Sequence, residues 1–114
     1  MINIIATALL SMTAMKGDPL DDARKSFNNC MIEVHNTAVG EKASPSAFIQ
    51  TSDAACPTER AAYKEVLIKS ERSYGSSQTE AAKFASEEIQ MIVDSIVTSF
   101  NENIEGGAKL TPEK

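Results

Sequence analysis

Two cysteines, Cys30 and Cys56, a single histidine, His35, and 16 carboxylates are the residues of this 114-residue chain with the most chemistry to offer. A thiol pair can run a redox cycle, hold a soft metal or close a structural disulfide. Cys56 directly precedes Pro57, at the start of a helical pattern, where the helix dipole lowers a thiol pKa. The spacing, however, is not C-x-x-C, and no βαβ pattern surrounds it. A disulfide between Cys30 and Cys56 is therefore expected. It would enclose 25 residues, and closing such a loop stabilises by roughly 3 to 3.5 kcal/mol in the chain-entropy model.

The other candidates are weaker. Met31 and His35 are four apart, and such a pair can ligate haem iron in a bundle. No C-x-x-C-H accompanies them, and nothing specifies ligands on two facing helices. His35 is expected beside the apolar stripe, partly exposed and solvated. Cys30, Glu33 and His35 do not share a helical face, which argues against zinc. No serine sits in G-x-S-x-G, and one histidine would have to serve any triad. Glu87-Glu88 and Asp21-Asp22 are adjacent, so their side chains diverge by about 100° on a helix. Gly75 lies among serines without a G-x-x-x-x-G-K pattern. The reading assigns no catalytic residue, no metal ligand and no cofactor.

The compartment follows from the N-terminus. Met1 to Met15 carry no charged side chain, and Ile4 to Leu10 form a short apolar stretch. It is too short for a bilayer, which needs roughly 20 apolar residues. Residues 1–17 read as a secretory signal peptide, with cleavage expected after Ala14. Two departures stand: no Lys or Arg precedes the stretch, and Met12 occupies a position where a small residue is preferred. The alternative is an apolar helix packed on the core. Export fits the disulfide, so a periplasmic or secreted location is expected.

A net charge of −5, from 11 basic and 16 acidic residues, argues against nucleic acid and anionic membrane surfaces. The longest basic cluster, Arg24-Lys25, reads as a solvated pair.

The elements that would position these residues are helical. Asp18 caps a helix from Pro19 to about Val39, with Gly40 as its stop. Leu20, Ala23, Phe27, Cys30, Met31, Val34 and Ala38 form its apolar stripe, and Asp21 and Lys25 are spaced to pair. Ser44-Pro45 opens a short helix carrying Phe48 and Ile49. Pro57 breaks it at Cys56 and starts another, running to Tyr74 before Gly75, with Tyr63, Val66, Leu67, Ser70 and Tyr74 on one face. Ser77-x-x-Glu80 is a capping box for a last helix to about Ile104. Its stripe is Ala82, Ala85, Ile89, Ile92, Val93, Ile96, Phe100 and Ile104. The fold expected is all-α: a three-helix, up-down-up bundle over residues 18–107 with an additional short helix, one disulfide, and a polar tail at 108–114. Phe84 and Met91, seven apart, lie opposite the last stripe and mark a candidate partner surface. Ile32, Ala61 and Ile68 also fall off their stripes.

Arg24-Lys25-Ser26-Phe27-Asn28-Asn29-Cys30, Thr58-Glu59-Arg60-Ala61-Ala62-Tyr63 and Ser70-Glu71-Arg72-Ser73-Tyr74-Gly75 carry a resemblance over most of the chain after the leader. In these segments it resembles small exported helical proteins of alphaproteobacteria, sphingomonad-like ones in particular. That family has no assigned activity, so the resemblance implies a periplasmic helical domain and no reaction. The function expected is binding: a non-enzymatic periplasmic or secreted accessory protein with a protein partner or a homodimer, and no stable membrane span. A structural dimer or envelope-complex subunit is the alternative. A thiol- or metal-dependent enzyme built on Cys30, Cys56 or His35 ranks below both.

Overall fold

A computed structural model describes residues 18–114, so the leader expected at residues 1–17 lies outside the described residues. Among the described residues four helices follow one another: α1 (Pro19–Gly40), α2 (Pro45–Ala54), α3 (Pro57–Ser73) and α4 (Gln78–Asn103). Each starts where local chemistry dictates. The Asp18 carboxylate accepts from the Leu20 N–H, and the Ser44 hydroxyl accepts from that of Ala47. Ser77 and Glu80 close the capping box reciprocally. Prolines occupy the first turns of α1, α2 and α3, where a missing N–H costs nothing.

The breaks differ in detail from the pattern. Gly40 remains helical, and the left-handed residue that turns the chain into α2 is Lys42, at φ 56°. Between α2 and α3, Ala55 is extended and Cys56 is left-handed at φ 56°. The missing cation at the C-terminus of α2 comes from the next helix. Arg60 donates to the carbonyls of Ser52 at 2.9 Å and Ala55 at 3.2 Å. It also lies over the Phe27 ring at 5.3 Å.

Up-down-up connectivity is visible in who meets whom. Cys30 bonds Cys56, and Phe27 stacks on Tyr63 at 6.1 Å, so α1 and α3 run antiparallel. Arg24 shares a groove with Phe84, while His35 meets Phe100 and Asn103, so α1 and α4 run parallel. The short α2 packs against α4 and α1. Its Phe48 stacks on Phe100 with ring centroids 4.1 Å apart.

The buried arc of α1 is not the expected stripe. Phe27, Met31, His35, Ile32, Ala38 and Val39 are buried, whereas Cys30 and Val34 are only partly so. At about 100° per residue the arc spans about 140° and centres on the His35 side. Ile32 and Ile68, expected off their stripes, pack into this core. On α4 the pattern holds more closely: Ala85, Ile89, Val93, Ile96 and Phe100 are buried, with Ala81 in place of Ala82.

The polar tail is docked. Residues after the turn at Gly107 run back along α1, and Leu110 packs against the core. No helix among the described residues is long and apolar enough to cross a membrane.

Candidate functional site

The cysteines come together as expected. Cys30 on α1 and Cys56 at the start of α3 form a disulfide, with Cα atoms 6.2 Å apart. Glu59, one turn into α3, brings its carboxylate within 4.8 Å of both sulfurs. While the sulfurs are bonded to each other neither is a thiolate, so this trio offers an ion only one carboxylate. Cys56 takes no side-chain part in capping α3.

His35 is where the expectation fails. It is 0% exposed, not solvated. Phe48 and Phe100 both present edge-on geometry to it, at 6.5 and 6.2 Å. Its Nδ1–H donates to Asn36 Oδ1 at 2.8 Å, and its Nε2 accepts from Asn103 Nδ2 at 3.3 Å. With the proton on Nδ1 both nitrogens are occupied. The histidine holds the meeting point of α1, α2 and α4, and its ring offers no nitrogen to a ligand.

The open surface lies at the other end of the bundle. The N-terminal half of α1, α3 and α4 wall a groove of about 490 Å³. Leu20, Tyr63 and Leu67 give it an apolar lining. Phe84 reaches it from α4, 36% exposed, and Tyr74 from the end of α3, 84% exposed. Tyr74 was expected on the buried face of its helix; it falls at the C-cap, where α3 no longer has a neighbour to cover it. Met91, 65% exposed, continues the apolar line beyond Phe84. Four carboxylates, Asp18, Asp21, Glu71 and Glu88, surround the lining. Burial pushes the Tyr63 phenol above its usual range, and Glu88 adds to this.

Arg24 is the cation of this groove, and it is not the solvated residue expected. Glu113 of the tail grips it through two bonds of 2.9 Å, and Asp21 pairs with it at 3.1 Å. Asp21 thus takes Arg24 as its partner where Lys25 was expected. The Glu113 carboxylate, held first by Arg24 and also by Asn28, lies well below the usual carboxylate range, at about 2.

Three features therefore stand in three places: the disulfide with Glu59, the buried histidine, and the groove under Phe84. The groove was legible only through Phe84 and Met91. Its other walls come from helices whose mutual rotation no single-helix pattern reveals. Compared with protein-family models, curated proteins and solved structures, the chain matches none.

Proposed function

We propose that this is a non-enzymatic binding protein of an oxidising compartment, periplasmic or secreted, and that the groove under Phe84 is its binding surface. One observation carries the reading: two aromatic rings, Phe84 and Tyr74, stay in contact with water over an apolar lining. Large side chains left so placed mark interaction sites more often than chance. The chemistry of the rim selects the partner. Arg24 is already matched by Glu113 and Asp21, and among the described residues no cation pairs with Asp18, Glu71 or Glu88 around the groove. A partner presenting an apolar side chain flanked by lysine or arginine fits both features. The disulfide supports the compartment.

The test uses a basic amphipathic helical peptide, with leucine anchors and lysine flanks, titrated onto the whole chain. Binding that weakens as salt rises is expected. Tyr74→Ala should weaken it about ten-fold with no change in thermal midpoint, because Tyr74 supports nothing in the bundle. Phe84→Ser should weaken binding similarly and also lower the midpoint, since most of that ring is covered. Absence of saturable binding, or full affinity in both variants, would remove the groove as the binding surface. A chain that is dimeric by light scattering, and monomeric as Phe84→Ser, would favour the structural dimer instead.

A further inference from the structure

The tail is attached to α1 in an unusual way. Asn36 pairs with both backbone groups of Leu110: its Nδ2 donates to the carbonyl and its Oδ1 accepts from the N–H, each at 2.9 Å. Seven residues earlier, Asn29 does the same with Glu113, at 2.9 and 2.8 Å. Seven residues of helix advance about 10.5 Å. Three residues of extended chain advance about 10 Å. The two repeats match, so two turns of α1 measure out three residues of an extended segment running antiparallel to it.

Each asparagine reads only main chain, which makes these two clamps indifferent to side-chain identity. Side-chain selection comes at the ends. Leu110 inserts against the core at one end. At the other, the Glu113 carboxylate takes both Arg24 nitrogens and Asn28 Nδ2, the last at 2.6 Å. Lys25 adds a bond to the Lys114 carbonyl at 2.7 Å. The two residues between, Thr111 and Pro112, are exposed. Two backbone clamps, one apolar socket and one carboxylate fork compose a reader of extended peptide with the pattern Leu-x-x-Glu.

We propose that this face of α1 is a peptide-reading track, that residues 110–113 are its resident occupant, and that an extended acidic segment of that pattern on a partner protein displaces them. Arg24 and Lys25 supply positive charge where the glutamate sits, and the occupant in place shows the backbone and side chains that fit. The tail is joined to α4 through Gly106 and Gly107, the latter at φ +72°. A flexible hinge of this kind holds the tail near the track as an intramolecular competitor. The track is distinct from the groove lining, and it shares only Arg24 with it.

Competition gives a quantitative test on the whole chain. Inserting about 20 Gly/Ser residues between Gly106 and Gly107 keeps the contacts of residues 110–113 with α1 but lowers the effective concentration of the tail by about eight-fold. A synthetic peptide of residues 107–114 should then bind about eight-fold more tightly to the spacer variant than to the unaltered chain, followed in NMR through the chain's own Leu110 and Glu113 backbone amide signals, which report release of the tail. Asn29→Ala in the spacer variant weakens tail and peptide alike, and it should speed hydrogen exchange at the Leu110 amide at least about five-fold, since two hydrogen bonds that hold the tail are lost. If that variant does not fold, a peptide with lysine at the glutamate position serves on the spacer variant, and it should fail to bind. Equal peptide affinity with and without the spacer, or equal affinity of the two peptides, overturns the track. A spacer variant that dimerises with concentration, and that the peptide returns to monomer, overturns the partner assignment in favour of a second copy.

Discussion

His35 is the residue that most changes the reading of this molecule. Its position beside Met31 suggested a polar residue at the edge of a stripe. In place, it sits at the centre of the α1 buried arc, with Asn36 and Asn103 satisfying both ring nitrogens. Truncating it would open a cavity lined by Phe48 and Phe100 and strand the Asn103 amide. His35→Ala is therefore expected to cost about 3 kcal/mol, within the range for large buried side chains, measured by urea unfolding. A change below about 0.5 kcal/mol, the usual size of a surface substitution, would return His35 to the exposed face. Its burial was not legible because what covers it comes from elsewhere. Phe48 and Phe100 lie on other helices, and the direction in which α1 turns toward them depends on all three helices together. Phe27, Met31 and Phe48 were legible, because apolar residues at helical spacing are buried whichever neighbour covers them.

At the scale of elements, starts and stops were the most readable part of the chain. Asp18-Pro19, Ser44-Pro45, Cys56-Pro57 and the Ser77–Glu80 box are local devices, and each opens a helix where expected. The tail was not readable in this way. Its asparagine clamps lie outside the apolar stripe of α1, and the contacts of the tail join residues 74 to 89 apart in sequence. Composition alone makes such a segment look solvated. Its attachment should depend on pH through Glu113. In the folded chain that carboxylate titrates at about 2, against an ordinary 4.5. Between those values the unfolded chain binds more protons, so stability rises with pH there. The latch contribution is present above about pH 4.5 and is lost as pH falls toward 2. Unfolding free energy of the unaltered chain should thus fall more steeply across this window than that of Glu113→Gln. Parallel curves would show that Arg24 does not hold the carboxylate.

For the whole molecule, the disulfide is the largest single constraint. A bundle of this size buries a modest core, and net stabilities of small domains run at about 5 to 15 kcal/mol. Replacing both Cys30 and Cys56 by serine should cost about 3.5 kcal/mol, from the 26-residue separation it closes. The measurement is chemical unfolding of the double variant against the oxidised chain. A loss under about 1 kcal/mol would mean that the unfolded ensemble already holds α1 and α3 together. The fold class and the pairing of the cysteines were legible because both rest on short-range patterns. The groove was legible only as an anomaly, Phe84 and Met91 on the wrong side of α4, because its shape belongs to three helices at once.

The docked tail also bears on the order in which the fold assembles. Chains are made from the N-terminus at about 5 to 20 residues per second. Cys30 and Cys56 are both out before α4 exists, so the staple closes within a short loop, without α4 or the tail, once the chain meets an oxidising compartment. Residues 110–113 emerge after every helix, and their partners Arg24, Asn29 and Asn36 belong to the first. These contacts have the greatest sequence separations in the hydrogen-bond network, and such contacts form late because closing the intervening chain costs the most entropy. The latch is thus the final event of assembly, and α1 displays its asparagine track bare throughout synthesis. A chain cut short before Leu110 would keep its caps, its staple and its helices, and would differ from the finished molecule only in that uncovered strip.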